Sequence, residues 1–176
     1  MTDSIIFAGF GGQGLLFAGK LIAYGGMIEG KEVSWIPSYG PEMRGGTANC
    51  SVRISDMPVS SPVVSNPDYL IVMNSPSYTK FINSVRPGGK VFIDSSMIDE
   101  KCSRTDIDCF YIPATELAHD NGVDGMANIV LCGKLLKETG VIKTESVENA
   151  RNKIIPESRK ALIESNLKAI QIGMDI

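Results

Sequence analysis

Apolar runs too short to be helices recur along the chain, and most hand over to a segment with helical periodicity. Ser4–Ala8 closes on Gly9 and leads to an apolar helical stretch over Leu15–Tyr24, which the pair Gly25-Gly26 should end. Glu32–Ile36 reads as a second strand, closed by Pro37. Tyr69–Met73 is a third, followed by Ser75 as N-cap and Pro76 at the first helical position. The helix after it carries Tyr78, Phe81, Ile82 and Val85 as its core stripe. Lys90–Asp94 and Phe110–Ile112 complete the apolar strands, and helices are predicted over Thr115–Asn121, Met126–Thr139, Glu145–Lys153 and Glu157–Gln171. The last should turn Ile163, Leu167 and Ile170 inward. Short buried strands alternating with helices specify an α/β fold with a largely parallel sheet. The expected architecture is one three-layer sandwich domain spanning 1–176.

One segment breaks the pattern. Asn49–Ile54 alternates, with Cys50, Val52 and Ile54 on one face and Ser51 and Arg53 on the other. A period of two marks a strand with one wet face. Residues 49–61 therefore read as an antiparallel excursion, with Val59–Ser61 as a returning hairpin arm.

Composition removes several functional classes. A net charge of −3 and only 7 % aromatic residues argue against nucleic-acid binding, which uses basic patches and stacking platforms. No apolar run approaches the roughly 18–20 residues that span a bilayer, and the N-terminus lacks a secretory pattern. Cys50, Cys102, Cys109 and Cys132 form no CxxC pair, and His119 is the single histidine. Spacing of that kind builds neither a zinc nor an iron–sulfur site and fits reduced thiols in a cytoplasmic protein.

Gly9-Phe10-Gly11-Gly12-Gln13-Gly14 satisfies GxGxxG between a predicted strand and a predicted helix. Glycines there permit a tight turn, and the free amides at the helix start can hold a phosphate. They would equally let strand, turn and helix pack closely with no ligand at all. A dinucleotide site also needs an acid near the end of the second strand for the ribose. Here that strand ends Ser34-Trp35-Ile36-Pro37, so NAD or FAD binding loses its main support.

The segment Ser38-Tyr39-Gly40-Pro41-Glu42-Met43-Arg44-Gly45-Gly46 sets a phenol, an acid and a guanidinium among glycines, a combination suited to an anion or a partner surface. Following the second strand of a parallel sheet, it should share the carboxyl edge with the glycine turn. These two loops, with Asn49–Ser55 and the helix stretch Asn128-Ile129-Val130-Leu131-Cys132-Gly133, resemble the gamma subunit of 2-oxoacid:ferredoxin oxidoreductases over nearly the whole chain. The SYGPEMRGG form looks closer to the 2-oxoglutarate and branched-chain branch than to the pyruvate branch.

The resemblance implies a subunit of a complex that decarboxylates a 2-oxoacid, passes the acyl group to coenzyme A and reduces ferredoxin. It implies thiamine diphosphate, magnesium and iron–sulfur clusters held by companion alpha, beta and delta subunits, and ferredoxin reached through the complex. Separately, Tyr39 and Met43 in the glycine-rich Ser38–Gly46 segment point to a face buried against companion subunits, or against a second copy as a homodimer when the chain is isolated. The resemblance implies no catalytic residue and no metal in this chain, which alone should be inactive. Coenzyme A would meet Gly9, Gly11, Gly12, Gln13, Gly14, Ser38, Tyr39, Arg44, Gly45 and Asn128.

Other polar residues read two ways. Asn128, inside an apolar helix, either braces the glycine turn or caps local backbone. Asp94 either faces a ligand crevice or caps the turn through Ser95 and Ser96. His119 reads as a surface residue near a helix end. Two other functions stay open: a stand-alone nucleotide-binding oxidoreductase, and a purely structural interaction module.

Overall fold

The computed structural model describes residues 1–38 and 47–176, with the side chains of all but 157 and 160. Six strands form one sheet in the order β2-β3-β1-β4-β5-β6. They are β1 (Thr2–Phe10), β2 (Glu32–Ser38), β3 (Thr47–Ser55), β4 (Tyr69–Val72), β5 (Lys90–Asp94) and β6 (Asp108–Ile112). The helices are α1 (Leu15–Ile28), α2 (Ser75–Phe81), α3 (Ala114–Asp120), α4 (Ala127–Thr139), α5 (Thr144–Ile154) and α6 (Lys160–Asp175). No helix among the described residues is long and apolar enough to cross a membrane.

β1, β4, β5 and β6 run parallel, as the short apolar runs require. β3 is antiparallel to both β1 and β2. It is thus the one reversed strand, and β2 points the same way as β1. The expected excursion is present over Thr47–Ser55, but residues 59–61 form no strand and no hairpin arm. Arg53 Nη2 instead donates to Val63 O at 2.7 Å, tying the following irregular segment to β3.

The pleat sends alternate residues to two cores. Ile5, Phe7, Cys50, Val52, Ile71 and Phe92 join the larger core with α1, α3, α4, α5 and α6. Ile6, Ala8, Leu70, Val72, Val91 and Ile93 meet Tyr78, Ile82 and Val85 on the other face. Burying each large side chain of this kind contributes roughly 1.5–3 kcal/mol. The predicted wet face of β3 holds: Cys50, Val52 and Ile54 are buried, and Ser51 and Arg53 are half-buried.

Several local predictions need correction. Gly25 and Gly26 do not end α1; the helix runs on to Ile28, and the chain turns at Gly30 with φ +73°. A Cβ at Gly25 would lie 2.5 Å from Ile142 Cδ1 and one at Gly26 3.0 Å from Val33 Cγ2, so this pair serves close packing. Pro37 and Ser38 lie inside β2, because an edge strand tolerates a missing N–H. The N-cap of α2 is Asn74, whose Oδ1 accepts from Ser77 N at 2.8 Å, and not Ser75. On α6 the buried residues are Asn166, Ala169, Ile170 and Gly173, whereas Ile163 and Leu167 are only half-buried. Small residues face inward there because α6 crosses α4 closely: a Cβ on Gly133 would strike Ile170 O, and one on Gly173 would strike Val130 O.

Candidate functional site

The glycine turn leaves the end of β1 and enters α1 in four residues, Gly11–Gly14. Gly12 has φ +91° and Gly14 φ +72°, both in the left-handed region that side chains disfavour. Gln13 is stapled at both ends of its amide: Oε1 accepts from Phe10 N at 2.7 Å, and Nε2 donates to Met73 O at 3.1 Å. Gln13 therefore binds the turn to the ends of β1 and β4. Gly9 lies under this staple, where a Cβ would collide with Gln13 Oε1 and stand 2.8 Å from Leu15 Cδ1.

Gly14 is the N-cap of α1, and no side chain caps the helix. The first intrahelical bond is Ala18 N to Gly14 O at 3.0 Å. The N–H groups of the first turn consequently have no acceptor within the helix, and its dipole presents partial positive charge there. Gly11, Gly12 and Gly14 line a depression of ≈ 240 Å³ with Phe10, Leu15, Leu16 and Ala48. Those residues carry no charge, so an anion here would rest on backbone amides.

Asn128 sits in the first turn of α4, 4 % exposed, and its Nδ2 donates to Gly14 O at 2.9 Å. The bracing role applies, across 114 residues of sequence. Asn128 Oδ1 has no partner among the described residues. Gly14 also lines a second cavity of ≈ 350 Å³, with Phe17, Asn128, Ile129 and the connection from α5 to α6.

Ser38 ends β2 opposite Asn49, which pairs with Ala8, and Thr47 pairs with Phe10. The two ends of the 39–46 segment thus open at the same sheet edge as the glycine turn. The reason differs from the one expected: β3 is inserted between β2 and β1. Tyr39, Arg44 and Gly45 lie outside the described residues. The insertion also places β2 two strand spacings, about 10 Å, from β1, so its end is not where a dinucleotide's ribose acid stands.

The remaining sequence candidates are structural. Asp94 is fully buried; Oδ1 accepts from Ser96 N at 3.1 Å and Oδ2 accepts from Thr115 Oγ1 at 2.5 Å, so it caps the turn. His119 is exposed and pairs with Asp124 at 2.7 Å, which raises its pKa. Burial pushes the Cys50 thiol up to about 12 and raises Cys132 as well, which leaves both unreactive. Sequence reasoning missed one role and one member of this region. The stapling role of Gln13 left no signal beyond its place in the motif. Asn166, 3 % exposed on the inner face of α6, was hidden by its polar type.

The chain matches the family described as pyruvate ferredoxin/flavodoxin oxidoreductase over residues 4–176. It is 38 % identical over 170 residues to the ketoisovalerate oxidoreductase subunit VorA of Methanothermobacter marburgensis, covering 96 % of this chain and 35 % of VorA. The chain thus spans about a third of that relative. It is 34 % identical over 179 residues to the 2-oxoglutarate synthase subunit KorC of Methanocaldococcus jannaschii, covering 100 % of this chain and 94 % of KorC. In structure it is similar to the keto/oxoacid ferredoxin oxidoreductase gamma subunit of Geobacter sulfurreducens PCA, with TM-score 0.83 and 31 % identity over 98 % of this chain and 96 % of that one. With matches that run almost from end to end, this chain belongs to the pyruvate ferredoxin/flavodoxin oxidoreductase family.

Proposed function

We propose that this chain is the gamma subunit of a cytoplasmic, thiamine-dependent 2-oxoacid:ferredoxin oxidoreductase, acting as one gamma-type domain. The observation that carries the reading is the match along nearly the full length of KorC and of the Geobacter gamma subunit. The complex would decarboxylate a 2-oxoacid, form its coenzyme A thioester and reduce ferredoxin. Companion alpha, beta and delta subunits would hold thiamine diphosphate, magnesium and iron–sulfur clusters. The relatives named for 2-oxoglutarate and ketoisovalerate favour one of those acids as substrate.

This chain would serve assembly and coenzyme A binding. The glycine turn offers N–H groups at a helix start to a phosphate, with Gln13 and Asn128 holding its shape. Ser38 ends β2 at that edge, where Tyr39, Arg44 and Gly45 follow in sequence. That segment carries a cationic residue in its sequence, Arg44, and the residues lining the depression at the turn carry none.

The test is recovery of a tagged chain from its native cells, followed by viologen reduction with 2-oxoglutarate, 2-oxoisovalerate or pyruvate and coenzyme A. Co-purifying subunits and coenzyme A-dependent turnover are expected. A lone chain that reduces a nicotinamide cofactor would overturn the reading. Within the complex, Arg44→Ala removes a charge-assisted contact worth roughly 1.5–3 kcal/mol, so KM for coenzyme A should rise about 10- to 150-fold with that for the 2-oxoacid unchanged. An equal rise for both would assign Arg44 to the subunit interface.

A further inference from the structure

We propose that Cys102 and Cys109 form a reversible redox pair, which a peroxide oxidises to a disulfide that staples the connection between β5 and β6 onto the sheet. Residues 95–107 cross from β5 to the parallel β6 without a helix. Cys102 stands in that crossover, and Cys109 is the second residue of β6. Both are half-buried and pack on the same core as α2. The Cys102 thiol touches the Cys109 thiol and the Tyr78 hydroxyl. Hydrogen bonds hold it there: Cys102 N donates to Tyr111 Oη at 2.8 Å, and Cys102 Sγ donates to Arg104 O at 3.9 Å. Arg104 Nη1 in turn donates to Ile82 O at 2.9 Å and to Val85 O at 2.8 Å, which clamps the chain between the two cysteines.

Access and backbone freedom separate this pair from the other two cysteines. Cys50 and Cys132 also neighbour each other, but both are fully buried, one on β3 and one on α4. Sulfurs in contact must close to about 2.05 Å to bond. An irregular crossover can yield that distance, whereas a paired strand and a packed helix cannot. The surroundings also divide the roles. Burial pushes the Cys109 thiol up to about 12 against the pull of Arg104, so Cys109 is a poor first nucleophile at neutral pH. Cys102 reacts first: its sulfur attacks one oxygen of hydrogen peroxide, the O–O bond breaks, and the departing hydroxide leaves as water with the thiol proton. That gives a sulfenic acid, and the Cys109 sulfur then attacks the Cys102 sulfur. The S–S bond forms while the sulfenic hydroxyl leaves as water with the Cys109 proton. Two thiols and one hydrogen peroxide thus become one disulfide and two waters, and a dithiol reductant restores the pair. Proximity supplies what Cys109 lacks in acidity.

The assay treats the full chain, reduced and freed of reductant, with one equivalent of hydrogen peroxide. Remaining thiols are blocked with N-ethylmaleimide in denaturant, and tryptic peptides are mapped. Trypsin cuts after Arg104, between the two cysteines, so the disulfide appears as a linked pair of peptides that dithiothreitol separates. The Cys102–Cys109 pair should form, with Cys50 and Cys132 recovered as maleimide adducts. In Cys109→Ser, Cys102 should stop at the sulfenic acid, trapped by dimedone, and pass to sulfinic acid in excess peroxide, which the parent chain resists. In Cys102→Ser, Cys109 should stay a thiol. Closing the loop from Cys102 to Cys109 should raise Tm by roughly 5–10 °C, reversibly, with no rise in Cys102→Ser. Both thiols intact after peroxide, linkage of Cys102 to a cysteine other than Cys109, or a Tm that does not rise would overturn the proposal. So would oxidation of Cys109 in Cys102→Ser at the rate seen in the parent chain.

Discussion

The contact between Gly14 and Asn128 joins the glycine turn to α4, and a double-mutant cycle measures it. Gly14→Ala meets two penalties. A non-glycine residue at φ +72° costs about 1–2 kcal/mol. The new Cβ would also stand 2.5 Å from Asn128 Nδ2, which must then move and give up its 2.9 Å bond to Gly14 O. Gly14 O keeps its bond from Ala18 N, and leaving the buried Asn128 amide unpaired costs about 1–3 kcal/mol. The single substitution should therefore destabilise by roughly 2–5 kcal/mol. In the Asn128→Ala background the clash and the bond are both gone, so only the backbone penalty of about 1–2 kcal/mol remains. The coupling energy should be about 1–3 kcal/mol. Urea unfolding of the purified chain followed by circular dichroism reads it. With m near 2 kcal/mol/M, the larger single effect moves the midpoint by about 1–2.5 M. Additivity within about 0.5 kcal/mol would refute the idea that Asn128 braces the turn.

Gly173→Ala should lower Tm by roughly 2–12 °C in a thermal scan, because its Cβ lands on the backbone at Val130 O, where nothing flexible can yield. The single histidine gives one resolvable imidazole signal by NMR, and its pKa should lie above the usual 6.5 because of the Asp124 carboxylate. Asp124→Asn should lower it toward the ordinary value, with Asp120 still raising it, and any stability the pair supplies is present at acidic pH and lost as pH rises through the folded-state pKa. Alkylation of the native chain at pH 8 followed by mass mapping should spare Cys50 and Cys132 and modify Cys109 slowly, since burial pushes Cys109 up to about 12. All four thiols should react in denaturant, and fast native labelling at Cys132 would contradict the packing of α4.

The strands were legible because a buried parallel strand has few alternatives. A short run such as Ser4–Ala8 offers both faces as apolar, and only a sheet covered on both sides accepts that. The alternation of β3 was legible for the opposite reason, since its two faces meet different surroundings. Errors fell where a residue carries two meanings. Glycine marks a helix end when the chain is free, yet Gly25 and Gly26 sit against Ile142 and Val33, where the absence of a side chain is what matters. The same ambiguity hid the inner face of α6: periodicity rewards large apolar residues, but a close crossing needs small ones, and Ala169 and Gly173 occupy it.

At the site, sequence could locate the turn but not its supports. The GxGxxG spacing is a local property, so the strand–turn–helix context followed directly. Asn128 lies 114 residues from the carbonyl it holds, and no periodicity reports a partner that distant. Its two readings, brace or local cap, differ only in the direction of one amide, which the tertiary fold decides. The shared edge of the two loops shows the converse case. It was inferred from an uninterrupted parallel sheet and survives although β3 intervenes, because two successive reversals return β2 to the direction of β1. What the inserted strand changes is distance: the end of β2 is displaced about 10 Å outward from β1. A group that meets the ends of both strands must therefore span about 10 Å, which a single ribose held between neighbouring strands does not.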